Sequence, residues 1–438
     1  MRQTAYMCAL FCLLMFLVHT PLVFGQDNNE RIDRLEQEVK QLRKQMEEEK
    51  EAKELEQLRR VAQEESAIGK PEEDLEKKEF RLKGLGLQKL NPEISIVGDT
   101  IFGGWYEEHD RIRSDALFRV LGVHFESYLD PYTKFKASCP VDPQGASLGE
   151  GYITRFGVMK NTSLTIGKFR QQFCTLNRWH KPGLDQIDHP LALRQIFGEG
   201  GLCQTGLSLD WQAGAEGGAT HRLTFQATTG ENPRLFGGNN RGTPSLLLRY
   251  LNYRDLTGDS YVEAGLCGLV GWSDTWAVPG DEVHDSEPAA IYGLELNYLW
   301  EPSERMRYRN FEWRTEAYYL DRHIVAPDGS GKHTVNAWGA FTSLQTKVSR
   351  TVDIGIHGDF YQPSIKKYAD PSLFPHAIAG VGSAYTVQGG FYVTWNQSPW
   401  VRFRIQCDCV DSHNMGEPQY IVYFQITFAA GPHLHERY

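Results

Sequence analysis

Beyond its first 24 residues the chain has no run of 18 apolar residues, so no later segment is long enough to span a bilayer as a helix. It also lacks a glycine-rich loop that opens a helix after a strand, a zinc-ligand spacing and a nucleophile elbow. Cysteine is sparse, at 8 of 438 residues. These absences argue against an enzyme, and we expect no cofactor, no metal and no nucleic-acid partner.

The first residues predict export. Arg2 precedes the apolar stretch Met7–Phe24, and Gly25 stands where a signal peptidase accepts a small residue. We therefore predict a signal peptide over residues 1–25. An uncleaved anchor helix is the alternative, and Pro21 disfavours it by interrupting the apolar run.

Residues 26–80 are dominated by Glu, Lys, Arg, Gln and Leu, and they predict a helical stalk. Apolar residues there recur at heptad spacing, as in the seam of a short coiled coil, at Ile32, Leu35, Val39, Leu42 and Met46. The spacing slips after that point, so a solvated single helix remains the alternative.

From about residue 85 the hydrophobic period changes to two, the period of a strand. The stretch VRFRIQCDC (Val401–Cys409) alternates without exception, and FEWRTEAYY (Phe311–Tyr319) is similar. Many such segments run for the 9 to 11 residues or more that a tilted strand needs to cross a membrane. We count sixteen of them between residues 94 and 429, an even number, as in single-chain bacterial barrels.

The connections between these segments alternate between short turns and longer loops, as expected if one barrel end faces the periplasm. The longer ones are residues 105–115, 139–149, 174–204, 230–243, 273–288, 322–332 and 362–383. The predicted fold is therefore all-β: an antiparallel transmembrane β-barrel of about 16 strands over residues 85–438, preceded by the periplasmic coiled coil.

The barrel segment resembles the porin-like barrels of bacterial outer membranes, a mostly uncharacterised group placed loosely with phosphate-selective porins. Besides the long loop NRWHKPGLDQIDHPLALRQIFGEGGL (Asn177–Leu202), the matching stretches are LNPEISIVGD (Leu90–Asp99), LTIGKFRQQF (Leu164–Phe173), TGLSLDW (Thr205–Trp211) and the closing FAAGPHLHERY. The resemblance implies a passive diffusion channel in the outer membrane, often trimeric, whose third external loop folds inward. Because the chain is slightly acidic, we do not expect it to share the phosphate selectivity of that group.

The third loop counted on the long side is 174–204, so the resemblance implies that it forms the constriction. The candidate constriction residues are Arg178, Trp179, His180, Lys181, Asp185, Asp188, His189, Arg194 and Glu199. Of these, Arg178, His180, Lys181 and Arg194 can face Asp185, Asp188 and Glu199 to set a transverse field. Trp179, Leu184, Ile187, Leu191 and Ile196 can pack the loop on the inner wall. Candidates for lining the lumen are Lys168, Arg170, Glu312, Arg314, Glu316, Asp353, Arg402, Arg404 and Asp408. Pairing between neighbouring charges is the structural alternative for each of them. Cys174 and Cys203 bracket the loop and could form a disulfide, with Cys139 as a competing partner.

The function predicted from these features is passive diffusion of small hydrophilic solutes or ions through an outer-membrane channel. The expected partners are the lipid bilayer and further copies of the same chain, as a trimer. An outer-membrane anchor that oligomerises through the coiled coil is the main alternative. A receptor or an outer-membrane enzyme is a weaker one, because a receptor needs a larger N-terminal plug and no Ser–His pair suggests a hydrolase.

Overall fold

The computed structural model describes residues 93–431, apart from 108–110, 215–217, 237–239, 279–280, 304, 307, 326–331, 366–384 and 414–416. The predicted signal peptide and coiled coil, and the last seven residues of the chain, lie outside the described residues. No helix among the described residues is long and apolar enough to span a membrane.

Seventeen strands and two short helices make up the described chain. The first nine strands are β1 Glu93–Glu107, β2 Arg111–Asp130, β3 Thr133–Asp142, β4 Gly145–Ala146, β5 Glu150–Met159, β6 Thr162–Arg170, β7 Cys203–Gly214, β8 Ala219–Gly230 and β9 Asn240–Thr257. The others are β10 Ser260–Val278, β11 Asp281–Trp300, β12 Phe311–Val325, β13 Lys332–Lys347, β14 Val352–Ile365, β15 Thr386–Asn396, β16 Val401–Ser412 and β17 Gln419–Ala430. The helices are α1 Leu191–Phe197 and α2 Pro233–Phe236.

Sixteen of these strands close into an antiparallel barrel. Each strand pairs with its neighbours in sequence, and β1 pairs with β17 to complete the ring. The two-residue strand β4 pairs only with β3, whereas β3 also pairs with β5. β4 therefore belongs to the loop between β3 and β5 and is not one of the sixteen strands of the barrel. Closure pairs the backbone N–H and C=O groups of the edge strands, which a membrane-spanning sheet cannot leave unpaired in lipid. The predicted fold class and strand number are confirmed.

Side chains alternate between the two faces of the wall, as the period of two predicts. Along β11, Leu294 is 55% exposed, whereas the next residue, Glu295, is 4% exposed. The same alternation puts aromatic and aliphatic side chains on the outer face, where lipid replaces water, and puts most charged side chains on the inner face.

Two of the predicted long loops are mostly strand. The strands β1 and β2 continue through most of 105–115, and β10 and β11 continue through most of 273–288. Hairpins that leave the hydrocarbon region no longer need an apolar outer face, so the polar–apolar alternation fades while the backbone pairing continues. Sequence pattern therefore marked the membrane-embedded part of these strands and missed their extensions.

Candidate functional site

The segment between β6 and β7 turns back into the barrel. This lumenal loop, residues 171–202, contains two 3-10 turns, Leu176–Arg178 and Lys181–Gly183, followed by α1. Its atoms make hydrogen bonds with inward-facing residues of β2, β5, β9, β11, β12, β14, β15 and β16. Because these strands lie all around the ring, the loop crosses the interior.

The lumenal loop rests on an apolar part of the inner wall. Inward-facing residues of β9 to β14 there are Leu247, Leu269, Ile291, Leu320, Ala337, Phe341 and Tyr361. The loop adds Phe173, Leu176, Leu184, Leu193, Ile196 and Phe197 to the same buried cluster. Full burial of one such side chain stabilises a fold by about 1.5–3 kcal/mol. The loop is therefore docked like a small core inside the barrel.

Buried charges anchor the start of the loop. The Arg249 guanidinium forms two hydrogen bonds with the Glu295 carboxylate, at 2.6 and 2.8 Å, and Thr175 Oγ1 donates to the same carboxylate at 2.8 Å. Glu316 is completely buried, and its Oε1 accepts the backbone N–H groups of Thr175 and Leu176 at 3.0 and 2.9 Å. The Glu316 carboxylate thus pairs backbone donors that would otherwise be unpaired where the chain turns inward, while Glu295 pairs the Thr175 hydroxyl and Arg249.

The middle of the loop is held by arginines of β12 and β16. Arg314 donates to Asp185 at 2.9 Å, and its guanidinium lies 4.2 Å from the centre of the Trp179 ring, within cation–π range. Arg404 donates to the carbonyl oxygens of Leu184 at 2.7 Å and Gln186 at 3.0 Å. Backbone carbonyls on the loop are thus paired with fixed donors on the wall.

Three further contacts from β14 and β16 hold the central part of the loop. Arg402 donates to the Pro182 carbonyl. The Ile187 N–H donates to Gln406 Oε1 at 2.9 Å, and the Leu191 N–H donates to Asp359 Oδ1 at 2.7 Å. The wall therefore supplies hydrogen bonds to the loop backbone along most of its length.

Charges of the loop are largely paired with one another and with the wall. Lys181 Nζ lies 2.6 Å from Glu199 and 3.5 Å from Asp188, and Arg119 of β2 donates to Asp188 at 3.0 Å. Arg194 lies 3.7 Å from Glu199. Although desolvation alone would raise the pKa of Asp188, the nearby cations hold it below its ordinary value. Each of these loop charges therefore has an opposite charge within 4 Å.

His189 is a buried histidine rather than an exposed ligand. Its Nε2 lies 2.9 Å from the Trp179 carbonyl oxygen, so Nε2 carries the proton and donates. Burial first, and then the positive charge of Arg170, lower the pKa of His189 to about 3. The imidazole is consequently neutral at neutral pH.

Acidification is expected to loosen the lumenal loop. The pKa of His189 rises from about 3 in the docked loop towards its ordinary 6.5 when the loop is released, so the released state binds more protons between these values. Docking weakens as the pH falls through that window, by about 2 kcal/mol at about pH 5. Hydrogen exchange of the loop amides, corrected for intrinsic rate, measures the change.

The control is His189→Gln, which keeps a donor for the Trp179 carbonyl but does not titrate. We expect this variant to show a flatter pH dependence of loop exchange. The same pH profile in both proteins would rule out His189 as the titrating group.

Two cavities lie beside the loop, on the side of the barrel formed by β1 to β8. The turn-end cavity, about 730 Å³, is lined by residues of β3 and β5 to β8 near the short turns. The loop-end cavity, about 850 Å³, is lined by β1, β2, β3 and the loops at the opposite end. Three residues line both cavities, namely Glu150, Arg170 and His180. His180 Nε2 lies 2.8 Å from Glu150 Oε2, so the loop meets the wall where the cavities meet.

The other predicted lumen residues are mostly inward-facing. Glu312 binds Arg314, Asp353 accepts from Asn396 at 2.7 Å, and Asp408 lies 3.0 Å from His357 Nε2. Arg170 donates to the Asn177 carbonyl, and Arg178 lines the turn-end cavity. Glu312, Asp353, Asp408 and Arg170 are thus paired with neighbours, which was the structural alternative for the lumen residues.

Lys168 reaches the lumen only at its rim. The residue after it, Phe169, is the buried, inward one, and Lys168 shares the face of Ile166, which is 49% exposed. Its Nζ donates to the Leu148 carbonyl at the rim of the loop-end cavity. The polar side chain of Lys168 suggested the inner face, but the inward residue of β6 at this point is apolar, against the usual rule that lumen-facing residues are polar.

The predicted pairing of Cys174 with Cys203 is not the arrangement in the structure. Cys174 Sγ lies 2.8 Å from Cys267 Sγ on β10, whereas Cys203 Sγ donates to the Gly149 carbonyl. Bracketing positions along the chain do not guarantee proximity, because the loop turns inward immediately after β6 and carries Cys174 away from Cys203.

The sequence interpretation missed Arg119 and Arg249, which are among the main anchors. Arg249 lies in the run SLLLRYLNY, where both faces are apolar, so alternation does not mark the inner face. A single charge in such a run, at the parity of buried Leu247 and Leu251, is the signal that could have identified it.

Comparison with known proteins indicates the fold. No protein-family profile matches the chain. An uncharacterized protein of Aquifex aeolicus (strain VF5) is 26% identical over 168 residues, which is 33% of this chain and 35% of that protein. The match thus spans about a third of that relative's length.

Among solved structures, Pseudomonas putida OprB at high pH is similar with a TM-score of 0.51 and 10% identity, over 78% of this chain and 95% of that one. An anion-selective porin from Comamonas acidovorans gives a TM-score of 0.49 and 10% identity, over 78% and 99%. At these identities the likeness is one of fold. The protein has the porin-like fold of outer-membrane β-barrels.

Proposed function

We propose that the protein is an outer-membrane channel for passive diffusion of small hydrophilic solutes, with the segment 174–204 as its constriction. The observation that carries the proposal is the lumenal loop itself, which crosses the interior and leaves space on one side of it. A sixteen-stranded barrel encloses an aqueous channel unless its own chain fills it. Here the chain fills the side lined by β9 to β17 and leaves the side lined by β1 to β8.

The solute path runs through the two cavities. The turn-end cavity reaches residues next to the short turns, such as Gly157 and Asn161, and the loop-end cavity reaches external-side residues such as Asp142 and Glu231. The narrowest point is the meeting of His180 with Glu150, where the two cavities share their lining.

The charges along this path favour a general channel over a site for one ion. The cationic residues lining the cavities are Arg119, Lys136, Lys168, Arg170, Arg178, Lys181, Arg222 and Arg234. The acidic ones are Asp142, Glu150, Glu199, Asp210 and Glu231. Because both signs occur in both cavities, we propose small hydrophilic solutes of either charge as the cargo.

Conductance in planar lipid bilayers tests the proposal. Purified, folded protein is expected to insert and give stable current steps, because a water-filled path conducts ions. The heat-denatured protein in the same detergent serves as the control. Absence of current steps from a protein that retains its strand content would overturn the channel function.

The same recordings locate the narrowest point. His180→Ala removes the side chain between the two cavities and should raise the conductance. His221→Ala is the matched control, because its ring stacks on Tyr250 on the outer face of the wall. An equal effect of the two substitutions would place the constriction elsewhere.

The anchor function remains the second candidate. It depends on the coiled coil predicted for residues 26–80, which lies outside the described residues. Trimer formation likewise remains a prediction, and deletion of residues 27–79 tests whether the stalk maintains it.

A further inference from the structure

The lumenal loop and the barrel wall carry a pair of cysteines that nothing in the channel function requires. Cys174 of the loop and Cys267 of β10 are 0% and 6% exposed, and their sulfur atoms lie 2.8 Å apart. The other described cysteines are all more accessible. We propose that Cys174 and Cys267 form a disulfide in the mature protein and tether the lumenal loop to the wall.

The backbone at Cys174 supports a specific use of its thiol. Its φ is +53°, in the left-handed region that favours glycine and that few other residues adopt. A glycine would relieve this backbone, so what the cysteine contributes here is its side chain. Strained positions of this kind persist where the surroundings over-determine them.

The wall leaves room for the sulfur pair. Gly293 of β11 pairs with Cys267 across the sheet. A Cβ at Gly293 would lie 2.4 Å from Cys267 Sγ and 2.6 Å from Cys174 Sγ. Only a residue without a side chain permits both sulfur atoms to approach at this point of the wall.

Bond formation requires an oxidant, and we assign it to a periplasmic thiol oxidoreductase in its disulfide form. The thiolate of one cysteine attacks the oxidant's disulfide and forms a mixed disulfide, and one oxidant sulfur leaves as a thiol. The thiolate of the second cysteine then attacks the protein sulfur of that mixed disulfide and releases the other oxidant thiol. The protein loses two protons and two electrons, and the oxidant gains them.

The oxidation that forms the disulfide precedes docking of the loop. Burial raises the pKa of the Cys174 thiol well above its ordinary value, and the adjacent Cys267 raises it further, so little reactive thiolate exists in the docked state. In the docked state the pair is also out of reach of a protein oxidant. We therefore place oxidation during assembly in the periplasm, after which the covalent bond stabilises the docked loop against release.

Mass spectrometry tests the bond directly. Protein from outer membranes is denatured with an alkylating agent, digested and analysed without reduction. We expect one species that joins the peptides of Cys174 and Cys267 and lacks two hydrogens. Separately alkylated peptides, or a link of Cys174 to Cys139 or Cys203, would overturn the proposal. Cys203→Ser, as the matched control, should leave the linked species unchanged.

A second measurement tests the tether. Protein refolded with reductant, and Cys267→Ser, should each be cut by trypsin after Arg178 or Arg194 of the loop at least about tenfold faster than oxidised protein. Comparing wild-type protein refolded with and without reductant keeps the test valid even where the variant folds poorly. Equal cleavage rates in the linked and reduced proteins would show that the bond does not restrain the loop. Neither measurement involves ion conduction, so failure of the disulfide proposal can be distinguished from failure of the channel function in the bilayer recordings.

Discussion

Excision of the lumenal loop should raise the single-channel conductance severalfold. Replacing residues 178–200 with a short glycine–serine linker removes the segment that crosses the interior, and it joins the two cavities to the space now filled by the loop. Bilayer recordings of single channels measure the change. A conductance equal to that of the full chain would show that the loop does not limit the current.

The ends of the loop make this excision structurally feasible. The Asn177 side chain accepts the Leu202 N–H at 2.8 Å and donates to the carbonyl oxygens of Leu202 and Gln171, so the two ends already lie side by side. A short linker therefore closes the gap at little entropic penalty. Replacement of the segment 303–308, whose described residues are exposed, by a linker of similar composition is the control, and its conductance should equal that of the native chain.

Loss of the Glu316 carboxylate should release the start of the loop. In Glu316→Ala the N–H groups of Thr175 and Leu176 lose their acceptor inside the barrel, and an unpaired buried donor costs about 1–3 kcal/mol. With two donors affected, we expect docking to weaken by about 2–5 kcal/mol. Hydrogen exchange at these two amides, compared with amides of the wall, measures the change.

Glu316→Gln is the matched control for this effect. The amide keeps one oxygen that can accept both N–H groups, so most of the docking free energy should be retained. If Ala and Gln variants exchange at the same rate, the negative charge of Glu316, rather than its hydrogen bonds, holds the loop.

Sequence pattern predicted the barrel well because a membrane-spanning strand is constrained at every position. Residues facing lipid must be apolar and each backbone group must pair with a neighbouring strand, so alternation, strand length and strand number are visible along the chain. The segments around Phe311–Tyr319 and Val401–Cys409 lie in the strands β12 and β16. The errors fell where lipid no longer constrains the chain, at the extensions of β1, β2, β10 and β11.

The candidate site was less predictable. The composition of residues 174–204 predicted a folded loop, and the resemblance directed it inward. Its partners were not visible, because Arg249, Glu295 and Glu316 lie between 74 and 141 residues from Thr175 along the chain. The inner wall also breaks the polar rule at Phe169 of β6, which is why polarity alone did not show that Lys168 reaches the lumen only at the rim of the loop-end cavity.

The sequence by itself determined that this chain folds as a sixteen-stranded antiparallel barrel with one long, folded loop, because the two faces of a barrel wall impose an alternation that local residue order must obey. The tertiary structure alone decided where that loop docks, which side of the lumen it leaves open, and that Cys174 meets Cys267 instead of Cys203. These features depend on ring closure, which brings residues from distant strands to a common interior, and no local pattern along the chain records that proximity.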